Sequence, residues 1–236
     1  MSRPELFFAE TALSSYGVYV SGVGTYGAPA RSVTEEVVPG RNGTLIIDNG
    51  RFENIEVIYP CFILKNFATN IANLRNFLKS HNGYVKIRDT YHPDEYRMGV
   101  YSSGLEIETS GHNSRYGKFS LAFNCKPQRF LASGDTAVTI ASEATISNPT
   151  RFPSRPLIKV TGTGTVSLAG VTMTIIGDQT DTYIDCDLMD CYAGSTNLNS
   201  KVSLSGDEFP ELAPGNNTLV YDGPTAVQIT PRWWTI

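Results

Sequence analysis

Turn-forming residues interrupt this chain so often that long regular helices have almost no room. Its 21 glycines and 13 prolines are scattered through 236 residues without a period. A helix tolerates such residues mainly at its ends, whereas short strands use them as the turns between neighbours. The segments between them are rich in Val, Ile, Thr, Tyr and Phe, which suit a pleated, half-buried surface. Collagen needs glycine at every third position, so the absence of a period excludes it. With 41% hydrophobic residues the chain has enough apolar material for a packed core. The expectation is a mainly β protein of one or two domains.

The first half gives its strands in order. Leu6-Phe7-Phe8 is followed by Tyr16–Val23, broken at Gly17 and Gly22. The Val- and Thr-rich run Arg31–Val38 leads to Pro39-Gly40-Arg41-Asn42-Gly43-Thr44, and Leu45-Ile46-Ile47 resumes a strand until Asp48-Asn49-Gly50. Pro-Gly and Asn-Gly are both turn signals, so the segment reads as a hairpin with a long tip. In Asn54–Lys65 the two-residue period puts Ile55, Val57, Tyr59 and Cys61 on one face. Pro60 marks an edge or a bulge there. Later strands are Gly83–Asp89, Tyr96–Val100, Gly104–Thr109 and Gly117–Cys125, with the polar loop Ser110–Tyr116 between the last two.

One stretch has a helical period. From Ala68 to Ser80, Ile71, Leu74 and Leu78 fall at i, i+3 and i+7 with Phe77 alongside, and Asn82-Gly83 comes next as a stop signal. Nothing reactive shares that face, so these residues are expected to be core.

The second half differs. Residues 1–131 carry 14 Lys/Arg against 12 Asp/Glu, and residues 132–236 carry 5 against 11, for nets of +2 and −6. Residues 132–150 contain Ala, Ser, Thr and Asn without Lys or Arg. They are read as a junction, with domains expected at 1–135 and 136–236. Beyond it, short strands recur at Leu157–Thr161, Gly164–Leu168, Val171–Ile176, Thr182–Asp187, Val202–Leu204, Thr218–Tyr221 and Ala226–Arg232. Evenly spaced strands without helices read as a β-sandwich.

No basic stripe exists, which argues against a nucleic-acid reader. No run reaches ~18 apolar residues, so no membrane span is expected, and no secretory signal is visible. GxSxG, HExxH and P-loop patterns are absent. The cysteines at 61, 125, 186 and 191 lack zinc spacing and are read as reduced, buried thiols. His81, His92 and His112 sit in polar, turn-like surroundings and are read as surface residues. Asp178, Asp181, Asp185, Asp187 and Asp190 form an acidic cluster. A calcium site or a carboxylate pair for glycoside hydrolysis are its functional readings. Strand alternation favours a plainer one, in which Asp185 and Asp187 face water and Ile184, Cys186 and Leu188 face the core. At the end of the chain Trp233 and Trp234 are adjacent, so one should enter the core and the other meet solvent, a partner or a host surface.

The order of these features resembles the distal tail (Dit) hub family of long-tailed, non-contractile bacteriophages over nearly the whole chain. It rests on Ile71–Leu78, Gly83–Asp89, Tyr96–Tyr101 and Gly117–Pro127, then Pro156–Gly162, Tyr183–Asp187, Gly206–Asn217 and Val227–Trp234. The run Phe209-Pro210-Glu211-Leu212-Ala213-Pro214-Gly215-Asn216-Asn217 is the most distinctive, with Phe209 and Leu212 placed to anchor a tight turn.

The resemblance implies an N-terminal β-sandwich or barrel-like ring domain with one packed helix, and a galectin-like C-terminal β-sandwich. It implies a homo-hexameric ring, single or stacked, that joins the tail tube to tail-tip, baseplate or receptor-binding proteins beside the tape measure protein. DNA passes its bore without sequence-specific binding. The location implied is the distal end of the virion tail, after synthesis in the bacterial cytoplasm. No catalytic residue, metal or cofactor is implied. The candidate subunit contacts are the hairpin tip Pro39, Gly40, Arg41, Asn42, Gly43 and Thr44, and the loop residues Ser110, His112, Arg115 and Tyr116. Both segments also read as plain exposed loops. Trp233 and Trp234 are the candidates for partner or host contact. Two rivals remain: a carbohydrate-binding adhesin using a Trp platform, and a β-sandwich hydrolase using the Asp181–Asp190 carboxylates.

Overall fold

The computed structural model describes residues 4–22, 26–64, 66–110, 116–177 and 181–236. The chain divides into two compact units, Met1–Arg129 with Ile236, and Phe130–Thr235. It is mainly β, with a single α-helix among the described residues.

The first unit is built on one antiparallel sheet. Its strands run in the order Thr11–Ala12, Leu6–Phe8, Val85–Asp89, Glu95–Val100, Tyr116–Leu131, Ile55–Ile63 and Val18–Val20, and Ile107–Ser110 also pairs with Tyr116–Leu131. The expected period holds in Ile55–Ile63, where Val57, Tyr59, Cys61 and Ile63 are all buried. Pro60 is not on an edge strand, because Ile55–Ile63 is flanked on both sides. Its carbonyl accepts from Ser21 N at 2.8 Å, beyond the last residue of Val18–Val20. N–H and C=O of one strand residue point the same way, so the missing donor of Pro60 faces the side where pairing has just ended.

The helix spans Phe67–Lys79 and buries Ile71, Leu74 and Leu78, as its period requires. These join Leu6, Phe8, Leu121 and Phe123 in one core. The Phe8 ring stacks on Phe123 and meets Phe77 edge-on, at 5.4 and 5.8 Å between centroids. His81 is drawn into this group rather than left on the surface. Its ring meets Phe8 and Phe77 edge-on, and its Nδ1 lies 2.9 Å from the Phe77 carbonyl at the helix end.

The second unit is a β-sandwich. One sheet orders Val138–Ile140, Ala226–Thr230, Leu157–Thr161, Asp181–Asp185, Asp190–Ala193 and Thr196–Asn197. The other orders Glu143–Asn148, Gly215–Asp222, Gly164–Leu168, Val171–Ile175 and Val202–Leu204. Ile158, Val160, Ile184, Val227 and Ile229 from the first share a core with Val166, Leu168, Met173, Ile175 and Leu219 from the second. The Ser- and Thr-rich stretch read as a junction supplies a strand to each sheet. Ile140, Ala144 and Ile146 alternate inward there with polar residues outward, a pattern that composition alone conceals.

The turn at 209–217 is anchored as its residues suggest. Leu212 is fully buried and exchanges backbone hydrogen bonds with Ser154 at 3.1 and 2.9 Å, and Phe209 packs against the core. The buried Asn217 holds the turn closed. Its Oδ1 accepts from Ala213 N at 2.9 Å, and its Nδ2 donates to the carbonyls of Ala213 and Gly215 at 2.8 and 3.1 Å. Asn217→Ala leaves these backbone groups without partners, at a cost of about 1–3 kcal/mol. Urea unfolding should show a lower midpoint with an unchanged slope, and an unaltered midpoint refutes the role.

Candidate assembly surface

The hairpin after Ala30 is a two-stranded sheet of its own, formed by Arg31–Val37 and Thr44–Phe52. The second strand continues through Asp48-Asn49-Gly50, where the sequence suggested a break. Gly50 accommodates this with φ 68°, and the register shifts between Arg31 and Val33. Pro39, Gly40, Arg41, Asn42 and Gly43 form the tip and Thr44 opens the second strand, all exposed, with Gly40 and Gly43 both at φ 80°. Glycine takes that conformation without a Cβ penalty, which is why the tip is written Pro-Gly and Asn-Gly.

The side chains above the tip make the arm unusual. Cross-strand partners are Val33 with Asp48, Thr34 with Ile47, Glu35 with Ile46, Glu36 with Leu45, and Val37 with Thr44. Partners share a face, so Val33, Val37 and Ile46 lie on one side, and Leu45 and Ile47 on the other. All five are exposed, between 39% and 76%. An antiparallel ribbon that meets water on one face alternates apolar and polar residues; this one carries apolar residues on both. Two strands alone are marginally stable in water, and contiguous exposed apolar surface marks an interaction site. Pairing only with each other, the strands also leave both outer backbone edges open. Few fixed charges brace the arm: Arg31 Nε donates to Asp48 Oδ2 at 2.7 Å.

The hairpin Val33–Ile47 and its tip are legible in the sequence as a candidate arm, but the apolar surface on both of its faces is not. The signal was present in Leu45-Ile46-Ile47, an unbroken apolar run where a one-sided hairpin would alternate.

The other candidates divide. Of the second loop, Tyr116 is described and exposed, whereas His112, Arg115 and the side chain of Ser110 lie outside the described residues. Trp233 is the tryptophan that enters the core, 6% exposed, which removes it as a contact residue. Trp234 is half-buried, stacks on Phe152 at 4.5 Å, and donates from its indole N–H to the Pro153 carbonyl at 2.9 Å.

The acidic cluster does not converge. Asp178 lies outside the described residues. Asp181 accepts from Thr161 and pairs with Lys159 at 3.0 Å, while Asp190 accepts from Asn197 and Asn199 at 2.9 and 2.7 Å. Asp185 is buried, correcting its assignment to the wet face. The strand ends at Asp185, so alternation no longer governs the residues after it. The turn beyond exposes Leu188 and Met189 instead of burying Leu188. Arg232 holds the Asp185 carboxylate through two hydrogen bonds of 2.7 and 2.8 Å, and the backbone N–H groups of Asp187 and Leu188 donate to it. Burial alone would raise the Asp185 pKa, but these donors outweigh it and hold the carboxyl below its ordinary range. A carboxylate committed to a guanidinium is a structural brace. Among the described residues no group of three or more His, Cys, Asp and Glu is placed to hold a metal.

All four cysteines are buried and unpaired, and burial raises the thiols of Cys61 and Cys186 to about 12 and those of Cys125 and Cys191 to about 11. They are inert packing residues. No described helix is long and apolar enough to cross a membrane.

No family model and no curated protein sequence matches this chain. Solved structures do. The crystal structure of the Dit protein of phage SPP1, described as a paradigm of the hub adsorption apparatus in phages infecting Gram-positive bacteria, superposes with a TM-score of 0.70 at 15% identity, covering 100% of both chains. A chain of the phage P2 baseplate in its activated conformation with Ca matches at 0.57 and 8% identity, covering 97% of this chain and 98% of that one. The same baseplate activated with Sr matches at 0.53 and 8%, covering 96% and 97%. From its first strand to its last, this chain has the fold of the phage Dit hub protein.

Proposed function

We propose that this chain is a structural component of a bacteriophage tail tip, a non-enzymatic hub placed at the distal end of the virion tail. In this reading the first unit closes into a homo-hexameric ring, and the ring joins the tail tube to the tail-tip or baseplate proteins. The bore admits the tape measure protein and then DNA. The second unit is galectin-like and stands as the docking point for tail-associated or receptor-binding proteins.

The observation that carries the reading is the arm of Arg31–Val37 and Thr44–Phe52. It exposes apolar residues on both faces and two open backbone edges. A surface of that kind is covered when the chain meets a copy of itself. A ring is the closed form of such a heterologous contact, because the arm of one subunit meets a different surface on the next. The shared fold with the SPP1 hub protein over full length supports the same role. The adhesin reading loses one platform residue with Trp233 buried, and the hydrolase reading loses Asp185 to Arg232.

Mass in solution tests the proposal. Native mass spectrometry and negative-stain microscopy of the chain should show a ring of six copies, alone or mixed with its tube and tip partners. A chain that stays monomeric in both settings sinks the hub assignment.

A further inference from the structure

Three Asn-Gly pairs stand in the chain, Asn42-Gly43, Asn49-Gly50 and Asn82-Gly83. Each is a reactive dipeptide as well as a turn signal. The backbone nitrogen of the glycine can reach the side-chain carbonyl carbon of the asparagine before it, because glycine has no Cβ to block the approach. The reacting atoms are the same at all three, and all three asparagines are exposed. Neither the dipeptide nor access to water separates them.

Their hydrogen bonds do. Asn49 lies within the strand Thr44–Phe52, and its Nδ2 donates to Ser32 Oγ and to Thr34 Oγ1, both at 3.3 Å. The attacking nitrogen is held as well, since Gly50 N–H donates to Asp48 Oδ1 at 2.9 Å. That nitrogen must lose its proton to attack, and a carboxylate beside it disfavours the amide anion. Hydrogen bonds from Arg31 and from Gly50 hold the Asp48 carboxyl below its ordinary range, so it is a poor acceptor for that proton. Asn42 and Asn82 lie outside the strands and the helix, Asn42 at the arm tip and Asn82 just beyond Phe67–Lys79. No described residue is hydrogen-bonded to either side-chain amide, or to the N–H of Gly43 or Gly83. Both glycines have φ in the region that only glycine takes easily, 80° and 127°, with open space around them.

We propose that Asn42 and Asn82 are sites of spontaneous deamidation in the folded chain, and that the same dipeptide at Asn49 is protected. The glycine nitrogen gives up its proton and bonds to Cγ of the asparagine. The bond from Cγ to the side-chain nitrogen breaks, and ammonia leaves with that proton. The succinimide ring so formed takes up water at either of its two carbonyls and opens to aspartate or isoaspartate. In sum an amide and a water become a carboxylate and an ammonium ion, and no oxidant, reductant or cofactor takes part. At Asn42 the product sets a carboxylate on the tip of the arm, and the isoaspartate form reroutes the main chain of the turn through the former side chain. The chemistry does not depend on the hub assignment.

Fragment-ion mass spectrometry of the full-length chain, aged at mildly alkaline pH in heavy-oxygen water, tests the proposal. The chain is kept dilute enough that sedimentation shows the monomer, so that no subunit contact covers the tip. Asn42 and Asn82 should convert to paired aspartate and isoaspartate forms carrying heavy oxygen. Asn49 should lag them by about tenfold or more, because its hydrogen bonds and that of Gly50 must open first. In guanidinium chloride the three should convert at comparable rates, which shows that the fold imposes the lag. Equal conversion of Asn42 and Asn49 in the folded chain overturns the proposal. So does an amide at Asn42 or at Asn82 that survives as long as that of Asn49.

Discussion

Replacing Val37 and Ile46 together with Asp will abolish self-association while leaving each subunit folded. These two are the most exposed of the five apolar arm residues, at 76% and 62%, and they lie on one face. Exposure means that they contribute little to the isolated subunit, so far-UV circular dichroism and the thermal midpoint should be unchanged within error. In an assembly each would bury a side chain worth roughly 1.5–3 kcal/mol. A buried unpaired carboxylate adds a desolvation penalty to that loss. At 1.4 kcal/mol per tenfold, the two substitutions should weaken each subunit contact by on the order of a thousandfold or more. A closed ring multiplies the effect over its contacts. Sedimentation velocity should move from an assembled species to the monomer. Replacing Leu45 and Ile47 on the opposite face should do the same if both faces are covered. If that second pair assembles normally, the arm is covered on one face only. If both pairs assemble normally, the arm is not the contact.

The second large effect concerns the brace between Asp185 and Arg232. Asp185→Ala should destabilise the second unit by about 2–4 kcal/mol. Breaking a buried pair costs roughly 3–5 kcal/mol, and the Arg232 side chain is 28% exposed, so water recovers part of that. Against a domain stability of about 5–15 kcal/mol this is a large share. It also carries a pH signature. The Asp185 pKa is held below its ordinary value in the folded chain, so its contribution is complete above the unfolded carboxylate pKa of about 3.9. It fades as pH falls through the lower folded value. The difference in unfolding free energy between wild type and Asp185→Ala should be constant near neutrality and shrink below about pH 4. A pH-independent gap would mean that packing, and not the ion pair, is what Asp185 supplies.

These two results bear on different parts of the protein, and they separate assembly from chemistry. The arm is surface that a lone subunit leaves uncovered, with apolar side chains and open edges where a partner adds more than water does. The acidic cluster looked like the chain's best chance of chemistry. Its members are instead distributed among Lys159, Thr161, Arg232 and the Asn197–Asn199 turn, each satisfied locally. That distribution leaves each carboxylate holding the shape of the second unit.

Much of the architecture could be read from residue order. Period two located Ile55–Ile63 and its buried face, period 3.6 located the helix and its three buried residues, and Pro-Gly with Asn-Gly located the hairpin tip. These are local rules: backbone geometry repeats every few residues, so a short window contains the signal. The order of motifs also pointed to the hub fold that the solved structures show. What the residues could not declare was set by neighbours distant in the chain. Asp185 reads as a wet strand residue until Arg232, 47 positions later, comes to lie against it. Leu188 reads as core until the strand is seen to end at Asp185. Nothing around Arg97 in the sequence shows that the sheet closes over it beside Ile87. The two-faced arm depends on which residues pair across the ribbon, and register is a tertiary fact, because a slip of one residue exchanges the faces of a strand. Spacing along the chain thus determined the elements of this protein and their inward faces. Only the fold decided which charges were paired, which was buried in the core, and which apolar side chains were left exposed.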